Sequence, residues 1–162
     1  MPVVSRQTNL SDDLRRAMLL VREGRVAHAL KTLAQMPVPQ EPLAIVTRLA
    51  TVLECRLARG ELSQARRMEG ELRSFADHSG AVGATALLAL GELATCSGDP
   101  TEAAQRYTDA GRVLGPALDD PEHLPWRVGA ALALAHLGDR GEADRLAEEH
   151  LVLARRGGSP YA

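Results

Sequence analysis

Apolar residues recur along this chain at intervals of three and four, the mark of helices that each bury one face. Leu49, Val52, Leu53 and Leu57 share one such stripe. Leu87, Leu90, Ala94, Ala103 and Tyr107 fall on matching stripes of two consecutive segments, as do Ala130, Leu134, Ala143 and Leu146. The pattern predicts eight helices, at about 11–23, 25–36, 42–59, 62–77, 81–97, 100–114, 121–137 and 140–156.

The predicted starts carry the chemistry that satisfies free backbone N–H groups. Asp99-Pro100-Thr101-Glu102 offers an acceptor, a proline at the first helical position and a glutamate three residues after the cap. Asp139 with Glu142 repeats the arrangement, and Asp120-Pro121-Glu122 opens another helix in the same way. Ser11 followed by Asp12 and Asp13 caps the first helix and complements its dipole. Met36 to Pro42 reads as a proline-rich connector.

The helices fall into pairs. Gly24, Gly60, Gly98 and Gly138 stand 36, 38 and 40 residues apart, and five residues after each comes an alanine: Ala29, Ala65, Ala103 and Ala143. A glycine suits the left-handed residue that ends a helix. The alanine marks the inward position where the next helix comes closest to its partner, and only a small side chain fits there. Four pairs follow, about 11–36, 42–77, 81–114 and 121–156. Residues 1–10 read as a disordered N-terminus and 157–162 as a C-terminal tail.

Composition narrows the class. The chain has 162 residues, of which 26 are Ala and 25 Leu, the strongest helix formers. Ile and Phe occur once each, so an all-β fold is excluded. The net charge of −2 gives no general drive toward nucleic acid or an anionic membrane. The start lacks the apolar core of a signal peptide, and no uncharged stretch is long enough to span a bilayer. A cytoplasmic chain is expected, with Cys55 and Cys96 as two buried thiols in a reducing compartment.

The four units resemble tetratricopeptide repeats, with small residues at the helix crossing and a glycine near the turn. The aromatic positions of a typical repeat are largely Ala or Leu here. A closer resemblance covers roughly the last 65 residues. It is carried by Leu124-Pro125-Trp126-Arg127, Ala130 to Leu134, Leu137-Gly138-Asp139, Ala147-Glu148-Glu149, Leu153-Ala154-Arg155-Arg156 and Gly158-Ser159-Pro160. Thr101 to Gly111 extends it. This string is similar to the helical-repeat region of large ATP-binding LuxR-type (MalT-like) transcriptional regulators, which are common in actinobacteria. The resemblance implies an all-α, right-handed solenoid of four tetratricopeptide-like units. It also implies a sensor segment that binds a small inducer, a protein partner or other domains of the same regulator. Such regulators also carry a P-loop ATPase and a helix-turn-helix DNA reader.

Neither of those parts is written here. There is no G-x-x-x-x-G-K-[ST], and the only lysine, Lys31, lies outside any glycine loop. No basic recognition helix is apparent, so direct nucleic-acid binding is not expected. The chain reads as a segment of a larger protein. Met1 and the capped start at Ser11 favour the alternative, a stand-alone adaptor that holds one protein partner.

No catalytic, cofactor or metal site emerges, and the chain is not expected to be an enzyme. His28, His78, His123, His136 and His150 show no metal-ligand spacing, and Glu148-Glu149-His150 reads as a solvated helix face. Ser97 and Ser159 form no nucleophile elbow. Asp119-Asp120 with Glu122 reads as a polar loop. Arg15-Arg16, Arg66-Arg67 and Arg155-Arg156 read as partners of acids on the same helices. Trp126 and Arg127 remain as possible ligand or domain contacts; otherwise Trp126 fills the junction between the third and fourth pairs.

Overall fold

The computed structural model describes residues 11–119 and 124–157. Helix is the only regular structure among those residues, with no strand. The helices are α1 (Asp12–Arg22), α2 (Val26–Gln35), α3 (Pro42–Ala58), α4 (Leu62–Arg67), α5 (Glu69–Ala76), α6 (Ala81–Cys96), α7 (Pro100–Leu114), α8 (Trp126–His136) and α9 (Arg140–Gly157). A short 3-10 helix, Pro116–Leu118, follows α7. No helix among the described residues is long and apolar enough to cross a membrane.

The expected caps form. Ser11 Oγ accepts from Leu14 N at 3.3 Å, Asp99 Oδ1 from Glu102 N at 2.9 Å and Asp139 Oδ1 from Glu142 N at 3.2 Å. Gly24, Gly60, Gly98 and Gly138 take φ of 73°, 72°, 77° and 87°. In all four turns the residue after the glycine donates its N–H to the carbonyl four residues before the glycine: Arg25 to Leu20, Glu61 to Arg56, Asp99 to Ala94 and Asp139 to Leu134. This is the Schellman closure, which needs the left-handed residue. Ala29, Ala65, Ala103 and Ala143, five residues on, are all buried.

Three differences from the sequence reading stand out. The expected helix at 62–77 is broken at Met68, whose N–H donates to Ala65 rather than continuing the four-residue ladder, so α4 and α5 replace one element. The low helix propensity of Gly70 in the first turn of α5 fits a break there. The expected start at 121 is also displaced: Leu124 and Pro125 are not helical, and α8 begins at Trp126. The cap assigned to Asp120-Pro121-Glu122 lies outside the described residues, as do residues 1–10 and 158–162, while Gly157 is the last residue of α9. Cys55 is buried as expected, but Cys96 is exposed, because it closes α6 beyond the last buried turn.

Apolar packing is divided along the chain. Leu14, Ala17, Leu20, Ala29 and Leu33 gather with Cys55. Val46, Leu49, Leu53, Ala65 and Leu72 gather with Ala86, Leu90 and Leu93. Leu87, Ala103, Tyr107, Ala110, Ala130, Ala143 and Leu146 form the third cluster. Helices α3 and α6 each feed two clusters, which is why α6 is apolar on nearly every side. Each helix packs on its neighbours in sequence, and α1, α3, α6 and α8 also pack in that order on one another.

Polar bonds reinforce these junctions. Arg48 of α3 donates to the Leu33 carbonyl near the end of α2, its Nη2 at 3.2 Å. Glu69, Arg73, Glu102 and Arg106 form an ion-pair chain from α5 to α7, with successive separations of 2.6, 3.7 and 2.7 Å. These pairs are largely exposed, so apolar burial outweighs them energetically.

Candidate functional site

Trp126 and Arg127 sit where the chain enters α8; Trp126 faces α7, and Arg127 reaches Asp119 and α9. The Trp126 ring lies on the backbone of α7 at Gly111, so closely that a β-carbon there would overlap the indole. The Arg127 guanidinium carbon stands 4.4 Å from the centre of the same ring. Arg127 Nη2 and Nη1 meet the two oxygens of Asp119 at 2.6 and 2.9 Å, a two-pronged pair, while its Nε donates to Glu149 of α9 at 3.3 Å. Trp126 Nε1 donates to Asp119 Oδ1 at 3.4 Å. Burial opposes the Arg127 charge, but Asp119 and then Glu149 outweigh it and hold the guanidinium ionised. Both side chains are thus occupied within the chain, and the Trp126 ring fills the space between α7 and α8.

Glu149 is therefore not part of a freely solvated face; it bonds Arg127 and Arg145 at once. His150 beside it is half-buried, its Nδ1 has no partner, and burial followed by the Arg127 charge holds its pKa below the ordinary value. Among the described residues, no three His, Cys, Asp or Glu side chains gather as metal ligands. The intrahelical ion pairs described include Glu69–Arg73, Glu102–Arg106 and Glu142–Arg145, whose arginines lie outside the doublets singled out from the sequence.

Two open surface grooves lie among the described residues. One, of about 310 Å³, lies between α1 and α2 and includes Arg16, Arg25, His28 and Lys31. The other, of about 290 Å³, lies beside the start of α7 and includes Arg66, Arg73, Leu90 and Glu102.

Sequence reasoning missed a row of residues on α1, α3, α6 and α8. Counting six residues back from each turn glycine gives Met18, Glu54, Glu92 and Leu132. Burial pushes the carboxyl of Glu92 up to about 7, and the charge of Glu54 adds to the effect. Glu54 is exposed as a residue, yet desolvation raises its carboxyl as well, opposed by Arg22 of α1. Tyr107 Oη lies 3.4 Å from Thr95 Oγ1, one turn after Glu92 on α6, and burial pushes the phenol up to about 12. Leu132 is 60% exposed and Val128, one turn earlier on α8, is 40% exposed. The glycine register was the available signal, since each member of the row keeps the same offset from it. Compared with protein-family models, with curated proteins and with solved structures, the chain matches none of them.

Proposed function

We propose that this chain is a non-catalytic interaction segment, a right-handed solenoid of four tetratricopeptide-like helix pairs. It serves as the sensor middle of a LuxR-type transcriptional regulator. The observation that carries the reading is the fourfold recurrence of one turn: a positive-φ glycine, the same backbone closure after it, and a buried alanine five residues on. Stacked units of this kind offer a long surface and few enclosed cavities. The string from Leu124-Pro125-Trp126-Arg127 to Gly158-Ser159-Pro160 supports placing the segment in such a regulator.

The partner is a protein surface or another domain of the same regulator rather than a small inducer, because both grooves are open and mostly polar-lined. Binding would shift an inactive multidomain state toward a DNA-binding one by its differential affinity for the two. Phosphate and DNA chemistry would belong to other parts of the regulator.

Immunoblotting cells of the source organism with an antibody to this chain tests the proposal. A band several times larger than 17.3 kDa is expected. A band at 17.3 kDa would overturn the regulator assignment and favour a stand-alone adaptor.

A further inference from the structure

We propose that the face formed by α1, α3, α6 and α8 docks a basic, partly apolar protein segment, with one Arg or Lys of the partner seated between Glu54 and Glu92. The inference deepens the reading of the chain as stacked pairs and rests on it. Glu54 and Glu92 hold equivalent places on α3 and α6, which pack together.

Several carboxylates at helix junctions have cations: Glu61 has Arg56 and Arg59, Glu102 has Arg73 and Arg106, and Asp119 has Arg127. Among the described residues, neither the Glu54 nor the Glu92 carboxylate has a hydrogen bond or an ion pair, and each feels the other's charge or that of Arg22 at a distance. Glu92 is partly buried, so its charge is poorly screened by water and is costly without a counter-charge. An added cation between the pair offsets the cost of the buried charge and removes the repulsion.

The rest of the face fixes the remaining chemistry. Val128 and Leu132 expose apolar surface at the α8 end of the same row, while Met18, at the α1 end, packs partly against the first apolar cluster. A complementary segment therefore carries a cation with an apolar side chain one helix spacing away, roughly 10 Å. Nucleic acid is disfavoured by the two carboxylates. A metal ion lacks further ligands, since no third His, Cys, Asp or Glu joins them among the described residues.

The test is fluorescence anisotropy of the full chain with labelled 15-residue peptides of Leu, Ala and Arg, against the same peptides with Gln replacing Arg. The Arg peptide is expected to bind, and Glu92→Gln to weaken it about tenfold or more. Glu92→Lys should move the preference to a peptide carrying Glu instead of Arg, and Glu148→Gln on α9 should change nothing. Circular dichroism confirms that each variant is folded. Equal binding of Arg and Gln peptides, no binding at all, or no effect of Glu92→Gln would overturn the cation proposal. Leu132→Ser separates the two levels. If it weakens both peptides while Glu92→Gln does not, the docking face stands and the cation falls. If neither variant matters, the face itself is wrong.

Discussion

Tyr107 lies against Gly129 so closely that a β-carbon at residue 129 would come within 2.6 Å of the phenol ring, and one at Gly91 within 2.8 Å. The ring is thus held between glycines of α6 and α8, which links burial of one aromatic residue to the approach of three helices. A methyl group at either glycine must displace a buried ring. Gly129→Ala is expected to destabilise the fold by about 1–3 kcal/mol through overpacking. Gly141→Ala in α9 meets nothing within 4 Å and should stabilise by about 0.5–1 kcal/mol. Urea melts of the two variants check the pair; destabilisation of similar size in both would refute the clearance role.

Ala103 and Ala143 are 0% and 6% exposed, each five residues after a turn glycine. Ala103→Leu or Ala143→Leu should each cost about 1–3 kcal/mol, while Ala135→Leu on the exposed side of α8 should be close to neutral. Unchanged melting in both crossing variants would show that the register of the pairs is misplaced.

Arg127 and Asp119 are 12% and 13% exposed at the side chain, so losing one partner strands the other in poor solvation. Arg127→Met should destabilise by about 2–4 kcal/mol, and Arg127→Lys should recover only part, because an ammonium cannot match both carboxylate oxygens. A double-mutant cycle with Asp119→Asn measures the coupling. Additive effects would mean that the pair contributes nothing beyond its separate side chains.

The Glu92 carboxyl ordinarily titrates at 4.5 and is pushed up to about 7 in the fold, first by burial and then by Glu54. The folded chain keeps a proton that the unfolded chain releases, so between these two values each rise in pH favours unfolding. The contribution is fully present below pH 4.5 and is lost as pH rises through 7. Glu92→Gln should therefore exceed the wild type at pH 8 by about 1–3 kcal/mol and approach it near pH 4. Thermal melts at the two pH values decide it, and a gap that is the same at both contradicts the burial of the charge.

Features encoded within a few residues were legible in the sequence. The turn glycines, the Ser11, Asp99 and Asp139 caps and the buried alanine five residues after each glycine follow short-range patterns, and the structure contains all of them. What escaped depends on residues far apart in the chain. Nothing near Gly91, Gly111 or Gly129 announces the rings of Tyr107 and Trp126 that they accommodate. A glycine inside a helix costs about 1 kcal/mol relative to alanine, so three of them already signal close packing. Glu54 and Glu92 come together only once α3 meets α6, and stripe analysis had no reason to pair them. Trp126 was singled out from the sequence, but its bond to Asp119 depends on how the chain returns after α7.

Amide hydrogen exchange tests most directly whether the chain is a linear stack, in which the apolar clusters are joined in series through shared helices, α3 between the first two and α5 and α6 between the last two. Leu14 is fully buried in the first cluster, and Leu14→Ala should cost it about 2–4 kcal/mol. The account predicts a sharp loss of protection in α1 and α2, a smaller one in α3, and unchanged protection in α7, α8 and α9. An equal loss of protection from α1 to α9 would contradict it, because it would mean that one shared core holds the whole chain.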